Sequence, residues 1–109
     1  MKIYYIPFKV ETYVPVTTND IESRAIYIFE VPNDSELAIK LTKMLEQDNH
    51  GAFDNKKVRL KVRSDDKIYY IDSEGHVMVS MKISQCNKED IEKVIKEMIS
   101  KYKIKKTRQ

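Results

Sequence analysis

The stretch Val58-Arg59-Leu60-Lys61-Val62-Arg63-Ser64-Asp65-Asp66-Lys67-Ile68-Tyr69-Tyr70-Ile71-Asp72-Ser73-Glu74-Gly75-His76-Val77-Met78-Val79 decides the fold of this chain. Val58, Leu60 and Val62 alternate with Arg59, Lys61 and Arg63, the period of two expected of a half-buried strand. Asp65-Asp66 offers a tight reversal. Ser73-Glu74-Gly75 offers another, with Gly75 suited to a left-handed position. Following both turns pairs Val62 with Tyr69 and Tyr69 with Val79, and Leu60 with Ile71 and Ile71 with Val77. One apolar set then shares one face of a three-stranded meander over about residues 57–83. The other face carries Arg59, Lys61, Arg63, Ile68, Tyr70, Asp72, His76 and Met78, a mixture richer than solvent requires.

Outward from the meander, two helices are legible. Asn33 followed by Glu36 resembles a capping box, and Leu37, Leu41, Met44 and Leu45 form one apolar stripe, predicting a helix over about 34–48 that stops near Gly51. Asn87 can cap a helix over about 88–103, with Glu89 and Asp90 in its first turn and Ile91, Val94, Ile95, Met98, Ile99 and Tyr102 on one stripe. Toward the amino terminus, Ile3 to Val16 reads as one bent strand or two short ones, with Pro7 and Pro15 favouring an edge or a bulge. Asn19 to Arg24 reads as one helical turn and Ala25 to Val31 as a buried strand. Two striped helices and a one-sided sheet are buried most simply as an α+β domain, an antiparallel-rich sheet with both helices on one face.

The chain has 109 residues, room for a single domain spanning 1–109 with one core. Cys86 stands alone, which excludes an internal disulfide and fits a reducing compartment. No apolar run approaches the roughly 20 residues needed to span a bilayer, and the amino terminus lacks a signal-peptide pattern. The expected location is therefore cytoplasmic, with no membrane partner. The net charge of +3 is unevenly spread: residues 1–54 carry −4 and residues 55–109 carry +7, much of it in a basic tail over about 103–109 expected to be disordered.

Catalytic and metal chemistry find little footing. His50, His76 and Cys86 show no metal-ligand spacing, and the two glycines cannot build a phosphate loop, so no metal and no cofactor is expected. Asp72 faces His76 across the inferred turn, an arrangement that tunes an imidazole but lacks a nucleophile. The turn-tip acids Asp65 and Asp66 are separated from Asp72 and Glu74 by the length of a strand. No catalytic residue is named and no enzyme is expected.

Binding remains. Tyr70 and Met78, with Ile68 and the neighbouring cations, have the composition of an interface, although the amino-terminal segment of the same chain would serve equally as a cover. Arg59, Lys61 and Arg63, with Tyr70 beside Lys61, form a candidate nucleic-acid surface. The segment Val58 to Val62, followed by Tyr69-Tyr70-Ile71-Asp72-Ser73-Glu74-Gly75-His76-Val77, resembles a pattern in small bacterial immunity proteins, including partners of polymorphic and contact-dependent growth-inhibition toxins. The resemblance implies a stoichiometric inhibitor that binds one cognate toxin domain, a nuclease among the candidates, and blocks its active site. In that reading the partner-binding residues are Tyr70, Asp65, Asp66, Asp72, Glu74 and Met78. The alternative is a small nucleic-acid-binding domain using Arg59, Lys61, Arg63 and the lysine tail. A third class is an accessory protein that acts by dimerising.

Overall fold

A computed structural model describes residues 1–46, 52–80 and 82–107. The elements in chain order are β1 (Lys2–Tyr5), α1 (Ile21–Arg24), β2 (Tyr27–Glu30), α2 (Glu36–Leu45), β3 (Val58–Ser64), β4 (Lys67–Asp72), β5 (His76–Val79), β6 (Lys82–Gln85) and α3 (Lys88–Lys101). The strands form one sheet in the order β2-β1-β3-β4-β5-β6. Every pairing in it is antiparallel.

The register follows the alternation of the central stretch. Val62 opposes Tyr69 and Leu60 opposes Ile71, while Tyr69 opposes Val79 and Ile71 opposes Val77. Side chains on this face meet Ala38, Leu41 and Leu45 of α2 and Ile91, Val94, Ile95 and Met98 of α3 in the main core. Both long helices therefore cover one face, giving an α+β fold with an antiparallel sheet. At the start of β5, Gly75 has φ 91, and a Cβ there would stand 2.6 Å from the Cys86 carbonyl oxygen. Both the backbone conformation and the close approach of β6's end require glycine.

The meander has four strands rather than three. Ser80 takes φ 47 and the chain reverses into β6, so that Met78 faces Ile83 across the new pair. Val79-Ser80 carries no Gly, Asn or Asp to announce that turn. β1 is interior, between β2 and β3, instead of at an edge. It ends at Tyr5, and so Pro7 falls beyond the ladder where its missing N–H costs nothing.

The cap of α2 is Ser35, whose Oγ accepts from the Ala38 N–H at 3.3 Å. Asn33, expected in that role, instead donates from Nδ2 to Asp65 Oδ1 at 2.9 Å and ties the β2–α2 connection to the β3–β4 turn. Asn87 caps α3 as expected, accepting from Glu89 and Asp90 N–H groups. The expected helix stop at Gly51, with His50, lies outside the described residues. The tail is held as far as residue 107: the Ile104 side chain packs against the core, and Thr107 donates its N–H to the Ile26 carbonyl at 2.6 Å while its hydroxyl accepts from Ile28 N–H at 3.2 Å.

Candidate functional site

The second face of the sheet is only partly covered. Residues 16–25, carrying α1, lay Val16, Ile21 and Ala25 over Tyr4, Ile6 and Val58, forming a second, smaller core above β1 and β3. Beyond β3 the cover stops among the described residues. Tyr70 is half-buried at its margin, and Ile68, Met78 and Ile83 continue across β4, β5 and β6 with Ile68 and Ile83 each 37% exposed. A shallow depression of about 300 Å³ lies here, lined by Asp66, Ile68, Tyr70, Met78 and Ser80. The β3–β4 turn supplies the acids at its rim. Asp65 takes φ 51, a conformation aspartate tolerates better than most residues, and Asp66 lines the depression itself.

The sequence-derived residues therefore divide. Tyr70, Met78 and Asp66 meet at the depression, with Asp65 beside them. Glu74 stands at the opposite end of β4, 3.8 Å from the Lys88 ammonium. Asp72 was expected on the binding surface and is instead 1% exposed. Its Oδ1 accepts from the N–H groups of Glu74 and His76, both at 2.9 Å. Its Oδ2 accepts from Asp54 N–H and meets His76 Nδ1, both at 3.0 Å. The carboxylate organises the β4–β5 turn and anchors the approach to β3. The Asp72–His76 pair has the geometry of an oriented base, but the thiol of Cys86 is buried, bonded to the Gly75 carbonyl, and pushed up to about 11 by burial, which makes it a poor nucleophile.

The cations divide as well. Of the three cations of the candidate nucleic-acid surface, Arg59 and Lys61 are enclosed by the fold, 5% and 4% exposed. The Lys61 ammonium lies 2.8 Å from Glu22 Oε2 of α1 and between the rings of Tyr4 and Tyr70, 5.6 and 5.4 Å from their centroids. It fastens the cover to the sheet by charge and by cation–π attraction. Hydrogen bonding from Lys61 in turn holds the Glu22 carboxyl below the usual range. Only Arg63 of the three remains exposed, opposite Ile68.

Arg59 reaches the other way, toward the loop preceding α1. Nε donates to the Val10 carbonyl at 3.2 Å and Nη1 to the Val58 carbonyl at 3.1 Å, and no carboxylate pairs with it among the described residues. Burial, and secondarily the charge of Arg24, pushes its pKa down. It lines a groove of about 840 Å³ between residues 8–15, Lys56-Lys57, the β4–β5 turn and the start of α3. Ile83 and β6 were missed by sequence reasoning because the Ser80 turn was silent. The groove was missed because its walls come from four distant segments.

No group of three or more His, Cys, Asp or Glu among the described residues is placed to hold a metal ion, and no described helix is long and apolar enough to cross a membrane. No known protein family, curated protein or solved structure matches the chain.

Proposed function

We propose that this chain is a protein-binding inhibitor of the immunity type, which engages one toxin domain through the uncovered half of its outer sheet face. The observation that supports the reading is the abrupt end of the α1 cover at Tyr70, which leaves Ile68, Tyr70, Met78 and Ile83 as one apolar strip with Asp65 and Asp66 at its rim. An aromatic anchor in a depression with charges at the edge is how tight interfaces divide the work: anchors lengthen residence, and rim acids speed the encounter with a basic partner. The nucleic-acid alternative is weaker, since two of its three sheet cations are enclosed within the fold.

The test is to examine the gene neighbourhood for an adjoining toxin gene and to titrate the purified toxin domain it encodes calorimetrically, the absence of such a gene counting against the reading. A one-to-one complex is expected, with Tyr70→Ala shortening the residence time and raising Kd by about 30-fold or more, the effect of an interface hot spot. Charge reversal at Asp65 and Asp66 should slow association. An absence of binding by the wild-type chain, or both variants binding as wild type, overturns the reading.

A further inference from the structure

The groove at the far end of the sheet is a separate feature from the apolar strip. Its floor holds a guanidinium that the fold has buried without neutralising. Placing a cation out of water is costly unless a charge or a full set of hydrogen bonds compensates it. Arg59 has two backbone carbonyls and no carboxylate within 4.0 Å among the described residues. Holding the loop at Val10 explains one face of the fork. It does not explain why an ionised group is used there, or why the rest of the fork borders an open groove. A planar guanidinium with free donors matches a carboxylate, which it can take in a bidentate arrangement.

The groove walls narrow the choice of ligand. Exposed Lys56 and Lys57 share the wall with Arg59 and Lys9, while Glu11, Glu89 and Glu92 line it together with Glu74, which is paired with Lys88 at 3.8 Å. A polyphosphate or a nucleic-acid backbone would meet repulsion from those glutamates along its length. A single carboxylate between basic groups satisfies both sets of charges.

We propose that this groove is a second binding site, which takes an Asp or Glu side chain on an otherwise basic peptide segment, with Arg59 as its anchor. The site goes beyond the apolar strip and does not depend on the immunity reading, because Arg59 and the charged walls that set its ligand chemistry lie outside that strip.

The experiment follows the Arg59 Nε–Hε resonance of the ¹⁵N-labelled full chain at constant ionic strength. Three probes are titrated: acetyl-Lys-Glu-Lys-amide, acetyl-Lys-Gln-Lys-amide and inorganic phosphate. The expected result is a saturable shift with the glutamate peptide, accompanied by the amides of Lys57 and Glu89, and an affinity at least tenfold lower for the glutamine peptide. Arg59→Gln should abolish saturation. Lys57→Glu, at an exposed position outside the core, should weaken the glutamate peptide severalfold with the spectrum otherwise intact, and so keeps the test decisive if Arg59→Gln disturbs the loop. Equal shifts with both peptides, no shift up to the solubility limit, or tighter saturation by phosphate than by the glutamate peptide would each overturn the proposal.

Discussion

Replacing Asp72 with alanine separates a residue that holds the fold from one that meets a partner. The carboxylate is 1% exposed and accepts three backbone N–H groups, those of Asp54, Glu74 and His76. Alanine leaves all three donors without their acceptor. A stranded donor costs about 1–3 kcal/mol. The turn lies near the surface, so water recovers part of that, and the loss of stability should be about 3–4 kcal/mol. Against a total of roughly 5–15 kcal/mol for a domain, this is a large fraction. Urea unfolding followed by circular dichroism should show the midpoint falling by roughly 2 M at an m-value of about 1.5–2 kcal/mol/M. Asp72→Asn keeps an oxygen for Glu74 and His76 but turns an amide N–H toward Asp54, and should cost about half as much. A loss below about 1 kcal/mol in Asp72→Ala would refute the assignment, and a loss of toxin binding at unchanged stability would return Asp72 to the interface.

Lys61→Met should keep the stability within about 1 kcal/mol of wild type in thermal denaturation, because an apolar chain of similar length fills the space between Tyr4 and Tyr70 and the abandoned Glu22 is half in solvent; Lys61→Ala, which leaves a void, should cost about 1–3 kcal/mol. Three carboxyls have pKa values below the ordinary 3.8 or 4.5: Asp20 through the Thr17 N–H, Glu22 through Lys61, and Glu46 through Tyr69 and then Lys67. The native state then binds fewer protons than the unfolded chain in acid, so their stabilisation is present above about pH 4.5 and fades as pH falls through the lowered values, which an acid titration of the urea midpoint will show. At the alkaline end the sign reverses: burial raises the hydroxyls of Tyr5 and Tyr69, and stability should fall as pH rises past 10, where the unfolded tyrosines ionise first. Cys86 should resist iodoacetamide at pH 8 in the native chain and react on unfolding, as mass spectrometry can follow.

The meander was legible because its two first turns are chemically explicit and its apolar residues keep strict alternation, so Leu60, Val62, Tyr69 and Ile71 could be placed on one face without any other information. The same alternation misled for Arg59 and Lys61. A period of two reports that two faces differ, not whether the polar one meets water or a second layer. The cover was written in Val16, Ile21, Ala25 and the acid of Glu22, a segment too short to show helical periodicity by itself. Ser35 displaced Asn33 as the α2 cap because both are capping residues two positions apart, and only the fold decides which lies at the helix start while the other reaches Asp65. Half of the candidate site was legible, Tyr70 and Met78 from register and Asp66 from the turn chemistry of Asp65-Asp66. The Ile83 half required a reversal at Ser80 that no turn residue marks.

The contact of Thr107 with β2 makes the two edges of the sheet unequal. Ile26 and Ile28 have part of their outward backbone already engaged, and a neighbouring strand approaching β2 must first displace the tail. Strand-by-strand stacking needs a free edge at both ends of each unit to propagate. With one end engaged by Thr107, association through β6 would terminate after a single addition, giving a pair of chains instead of a growing stack.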